Sequence, residues 1–135
     1  MLKRIWVGIL LILMISLPGL ATGQDVPSGK WWYNQKVVKN LNLTQKEIRQ
    51  LDQAWVDSQR KLIKLKNEVE REQFELDTLL GKKTVDDAGV RKQFNRLESA
   101  RTDLADERLE FIIRVREIIG AERFQQLKTS YKKWR

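Results

Sequence analysis

After Pro27 the chain has no proline, and beyond Gly29 its only glycines are Gly81, Gly89 and Gly120. No other feature constrains the fold as tightly. Sheets need a turn every few residues, and tight turns draw on Gly and Pro for backbone angles that other residues resist. A hundred residues with so few breaks fit a small number of long helices and no sheet. Charged residues make up 33% of the chain, so such helices can pack only if their apolar side chains are gathered into stripes.

The stripes are legible at heptad spacing. Thr44 and Glu47 form a capping box: the hydroxyl accepts from the Glu47 amide and the carboxylate accepts from the Thr44 amide. Leu43 holds the staple position against Ile48. From Gln45 to about Leu80 one sevenfold series runs Ile48, Trp55, Leu62, Val69, Leu76, and a second runs Leu51, Ser58, Leu65, Glu72, Leu79. Together they make a coiled-coil seam with two polar interruptions. Gly81 suits the left-handed position that ends a helix, and Thr84 suits the N-cap of the next.

A second long helix is predicted over 85–119, with the series Val90, Leu97, Leu104, Phe111, Ile118 and Phe94, Arg101, Arg108, Val115. The polar seam residues Ser58, Glu72, Arg101 and Arg108 are read as snorkelling at the edge of a thin two-helix arm. Two matched helices joined by a short turn form an antiparallel hairpin, each arm about 50 Å long. Shorter helices are predicted on either side, over 35–40 and 121–134, the latter with Phe124, Leu127, Tyr131 and Trp134 on one face. The fold class is all-α, a long antiparallel helical hairpin with short terminal helices.

Ahead of the hairpin the chain changes character. Lys3 and Arg4 precede an uncharged apolar run, Ile5–Leu17, which Pro18, Gly19 and small residues up to Gly23 close. This is the layout of a secretory signal peptide over 1–23, and the run falls short of the ~20 residues of a membrane span. Residues 24–34 then read as a flexible segment carrying Trp31, Trp32 and Tyr33, and 35–135 as the helical domain. Loss of Lys3 and Arg4 with the leader takes the formal charge from +8 to +6. A basic surface favours acidic or unfolded partners. Export argues against nucleic acid, and no membrane contact is expected once the leader is cleaved.

One end of the hairpin is unlike the rest. Leu109, Phe111, Ile112, Ile113, Val115, Ile118 and Ile119 make the second arm apolar nearly all round, and such a helix needs cover on several sides. The Trp31 segment and the last helix both attach there. At least one of Trp31 and Trp32 is expected to pack as cover, the other staying open to a partner.

The residue inventory narrows the chemistry. There is no Cys and no His, and both methionines, Met1 and Met14, fall in the leader. Disulfides are excluded, and imidazole, thiolate and thioether ligands for Zn, Cu or Ni are missing. The carboxylates form no Asp-rich loop for Ca or Mg. Nucleophilic catalysis has no Ser–His or Cys–His pair, and a two-carboxylate hydrolase needs a cleft that long helices do not offer. The expectation is a binding protein with no catalytic residues, no metal and no cofactor.

The segment "GKWWYNQKVVKNLNLTQKEIRQLD", followed by a long charged hairpin, resembles the Spy/CpxP family of periplasmic stress proteins, which also includes heavy-metal resistance sensors. The family's LTxxQ motif opens both the first long helix and the last helix. Here the first copy reads Leu43-Thr44-Gln45-Lys46-Glu47, with Glu in place of Gln. The second reads Ile119-Gly120-Ala121-Glu122-Arg123, keeping the apolar lead and an N-cap-competent Gly but losing Thr and Gln. The resemblance implies a cradle-shaped antiparallel homodimer that binds partly unfolded proteins without ATP. The metal ligands of some relatives have no counterpart in this chain.

Two roles follow. One is an exported holdase stress protein whose client surface is Arg49, Val56, Arg60, Ile63 and Lys64 on one side of the first long helix, with Trp31 and Trp32 as further contacts. The alternative is a periplasmic adaptor or inhibitor that docks on a membrane sensor's periplasmic domain.

Overall fold

A computed structural model describes residues 29–133; the expected leader, residues 24–28 and Trp134 lie outside them. In chain order these residues form a turn of 3-10 helix at Trp31–Tyr33 and then α1 (Gln35–Leu41), α2 (Gln45–Leu80), α3 (Asp87–Ile119) and α4 (Ala121–Lys133). The fold is all-α, and α2 and α3 pack against each other as the antiparallel hairpin.

The start of α2 is built as its sequence dictates. Thr44 Oγ1 accepts from the Glu47 amide at 3.1 Å, and Glu47 Oε1 accepts from the Thr44 amide at 3.2 Å. Both halves of the capping box are closed, which satisfies two amides that a helix N-terminus otherwise leaves without partners. Leu43 is buried, and Ile48 packs on the same apolar cluster.

The turn between the arms departs from expectation. Gly81 is right-handed (φ −80°, ψ −5°), and its amide still bonds the Asp77 carbonyl at 3.0 Å. No left-handed residue stops α2. Thr84 is not the next N-cap either: α3 begins at Asp87, two residues later than expected, with Asp86 at the cap and no side-chain cap bond. Gly89 is what admits Asp86, since a Cβ there would meet Asp86 Oδ2 at 2.6 Å. The carboxylate lies over the first turn of α3, where the helix dipole favours negative charge. Left-handed backbone occurs instead at Asn42 (φ 53°, ψ 46°), which ends α1, while Gly120, which ends α3, combines a positive φ of 82° with an extended ψ of 163°.

Along the hairpin the α2 seam faces inward as predicted. Leu51, Ser58, Leu62 and Leu76 are buried, and Leu65, Val69, Glu72 and Leu79 are half-buried. On α3 the series through Leu97, Leu104, Phe111 and Ile118 also faces inward. Its companion row, however, is Gln93, Ala100 and Glu107, all buried, one residue away from the expected Phe94, Arg101 and Arg108, which are exposed.

The physical reason is close approach. Small Ala100 lets the arms meet, and Gln93 Nε2 donates to the Glu72 carbonyl at 3.0 Å and to its carboxylate at 2.6 Å. A row of Phe and Arg would hold the arms apart. The snorkelling reading is therefore wrong at two positions: Glu72 is pinned by Gln93, and Ser58 is 1% exposed. Arg101 does stay at the rim, donating to Gln73 at 3.2 Å.

The far end of the hairpin closes over a core of Trp31, Trp32, Val37, Leu41, Leu43, Leu51, Val115, Ile119 and Leu127. Trp31 is 8% exposed and Trp32 0%. Both act as cover, so neither stays open to a partner. The two rings meet edge to face at 5.4 Å, and Trp32 lies 6.5 Å from Phe111, within the range of favourable aromatic pairs.

Candidate client-binding surface

Trp32 is fixed by more than burial. Its Nε1 donates to Asp52 Oδ1 at 2.8 Å, and the Tyr33 hydroxyl donates to the other oxygen of the same carboxylate. Lys30 Nζ sits 4.5 Å from the Trp55 ring and 5.4 Å from that of Tyr33, a cation–π arrangement. Burial pushes the Asp52 carboxyl upward, but the bonds from Tyr33 and Trp32 and the charge of Lys30 outweigh it and hold the group below its ordinary value. The same bond to Asp52 raises the Tyr33 hydroxyl. Asp52 thus staples the aromatic segment onto α2.

The two motif copies meet at this end. Arg123 Nε donates to the Ile119 carbonyl at 2.8 Å, and Nη1 donates to the carbonyls of Leu41 and Asn42, each at 3.3 Å. Its guanidinium also pairs with both Glu47 oxygens. The two residues that depart from the motif, Glu47 and Arg123, are each other's partners. Burial works against ionised Glu47, yet the bonds from Arg123 and Thr44 prevail and lower its pKa. Gly120 supplies the positive φ between α3 and α4 and accepts from the Phe124 amide at 3.0 Å. Leu43, Thr44, Glu47, Ile119, Gly120 and Arg123 form one structural junction.

The expected client residues lie elsewhere, on the side of α2 turned away from α3. Arg49, Arg60 and Lys64 are exposed and carry no ion pair or hydrogen bond among the described residues; Ile63 is 59% exposed and Val56 half-buried. The structure brings these five together on one helix face and separates them from the buried Trp31 and Trp32. A small apolar cavity between α1 and α4, lined by Trp31, Val37, Leu41, Leu127 and Tyr131 with Asn34, Asn40 and Ser130, holds about 100 Å³, well short of the volume of a usual ligand pocket.

A hairpin opened by a capping box and tied at its base to a second copy of the same motif defines a protein of the LTxxQ, Spy/CpxP-like group. A family model for heavy-metal resistance matches residues 10–126, and the chain belongs to that family, a non-enzymatic group of helical resistance and stress proteins. No curated protein and no solved structure matches it. The donor set does not fit a heavy metal: the chain has no Cys or His, and among the described residues no three carboxylates converge on a point that could hold an ion. Nor is any helix among the described residues long and apolar enough to cross a membrane.

Sequence reasoning missed Asp52, Gln93 and the Glu47–Arg123 pair. The signal for Asp52 was available, because it follows Ile48 by one turn on the flank nearest the aromatic segment. Gln93 was hidden by its apolar neighbour Phe94, which drew the heptad one residue off register.

Proposed function

We propose that this protein is an exported, periplasmic holdase that binds partly unfolded proteins without ATP, through the outer face of α2. The observation that carries the reading is the set Arg49, Arg60 and Lys64, three exposed cations with no partner among the described residues, around Val56 and the exposed Ile63. Long-range attraction from the cations raises the encounter rate with acidic stretches of an unfolded chain. The modest apolar area then gives weak, promiscuous contact. The helix needs no rearrangement to present this face, which agrees with a cycle that consumes no nucleotide. Export rests on residues 1–23, whose charge and apolar pattern fit a leader.

The test is suppression of light scattering by a chemically denatured client at stoichiometric protein. The protein suppresses aggregation, and Arg60→Glu weakens the effect while leaving the helical signal unchanged. No suppression by the parent protein contradicts the proposal. Capture of a single stable partner, with no effect on generic clients, favours the sensor-docking role instead.

A further inference from the structure

The protein is basic overall, yet one stripe of α3 is acidic. Asp103, Asp106, Glu110, Ile113 and Glu117 follow one another at 3–4–3–4 spacing on one side of the helix, with Leu109 beside them. All six are exposed, Leu109 by 54% and Ile113 by 40%, and none of the four carboxylates has an ion-pair partner among the described residues. Opposite in charge and alike in build is the outer face of α2, with Arg49, Val56, Arg60, Ile63 and Lys64. The two faces have nearly equal lengths, about 21 Å for 103–117 and about 22 Å for 49–64 at 1.5 Å per residue.

Their levels along the hairpin also agree. Glu72 lies opposite Gln93, so counting outward from that pair in the antiparallel register sets Asp103 level with Leu62 and Asp106 level with Gln59. The same count sets Leu109 level with Val56 and Glu117 level with Ile48. A second copy moved sideways without shift or rotation therefore brings its α2 face against the α3 face of the first. Asp103 then falls near Lys64, Asp106 near Arg60, Glu117 near Arg49, and Leu109 against Val56.

From this match we propose that the α3 stripe docks the α2 face of a second copy of this chain, side by side. The contact is heterologous, because each copy uses a different face and keeps one of each free, so association propagates into rows or closes into a ring. It differs from the twofold antiparallel dimer that the family resemblance implies, in which both copies use the same surface. Rows of opposite charge supply register, and the apolar centre supplies burial. Given the holdase reading above, assembly covers the client face, and clients compete with the neighbouring copy for Ile63 and Arg60.

Sedimentation velocity on residues 24–135, which retain every described element, tests the contact over a range of concentrations at low salt. The parent protein associates with rising concentration, and about 0.5 M salt dissolves the assembly because surface charges are then screened. Arg60→Glu with Lys64→Glu weakens association roughly tenfold or more, and so does Asp106→Lys with Glu110→Lys. An equimolar mixture of the two variants associates again, since each then offers the face the other lacks. Circular dichroism confirms that all are folded. A parent protein that stays monomeric overturns the proposal, as does association that survives both reversals or a mixture that fails to recover. Client suppression by the Asp106→Lys/Glu110→Lys variant is measured separately. Its α2 face is intact, so loss of suppression there counts against the holdase reading and leaves the contact between copies standing.

Discussion

The two ends of the hairpin use the same pair of helices to opposite effect. At the closed end, α1, the Trp31–Tyr33 turn and α4 surround the arms, and Trp32, Leu51 and Val115 are fully buried. Toward the turn only α2 and α3 remain among the described residues, and Phe74, Leu80, Val85 and Phe94 stay between 47% and 68% exposed. Two helices can hide one shared seam and no more. Stability is thus concentrated where extra elements add layers, and the open arm depends on specific contacts such as Gln93 to Glu72. Client binding, as proposed, belongs to neither core: it uses a solvent face of α2 that runs from the closed end toward the open arm.

That contrast can be broken or sharpened by substitution. The largest effect is expected at Trp32, where alanine removes a fully buried ring and its bond to Asp52. The loss is about 3–5 kcal/mol by chemical denaturation, whereas Phe74→Ala at the open arm changes stability by less than about 0.5 kcal/mol. Equal losses at the two sites would undo the distinction.

Next comes Arg123→Ala, which strips partners from Glu47 and from two carbonyls and costs about 2 kcal/mol. Thr44→Ala, which opens the capping box, costs about 1 kcal/mol. Both are read as shifts in the denaturation midpoint, and a larger shift for Thr44 would mean that the motif copies are not joined as described.

The smallest effect is a dependence on acid. Glu47, Asp52 and Glu72 all have pKa values lowered in the fold; for Glu72 the bond from Gln93 is the main cause. A lowered value means that the unfolded chain binds more protons over that range. The stabilisation is complete above the ordinary carboxylate range, near pH 4 to 4.5, and is lost as pH falls through the folded values. Melting temperature should be level from about pH 8 to pH 5 and drop toward pH 3, less steeply in Glu47→Gln. A decline beginning near neutrality would point to other groups.

Much of this was legible in the sequence, for reasons the structure makes plain. Helix length followed from missing glycine and proline, and the start of α2 from the reciprocal geometry of Thr44 and Glu47. The apolar excess at the end of α3 correctly located the closed end. What could not be read were contacts set by side chains far apart in sequence. The choice between Phe94 and Gln93 as a seam residue depends on the carbonyl and carboxylate of Glu72, 21 positions away on the other arm. The role of Arg123, which looked like a defect in the second motif copy, depends on Glu47, 76 positions earlier. Gly81 was misjudged because a turn of six residues leaves enough backbone freedom to avoid a left-handed conformation.

The client face can be tested directly because the chain contains no cysteine. Ile63→Cys and Phe74→Cys each give a single attachment point for a photo-crosslinker, one on the proposed face and one on the open arm. Phe74 is the more exposed of the two, 68% against 59% for Ile63, so simple stickiness favours position 74. With a denatured client at low protein concentration, position 63 should capture several times more client than position 74. Equal capture, or more at position 74, would contradict the assignment of the α2 face as the binding surface.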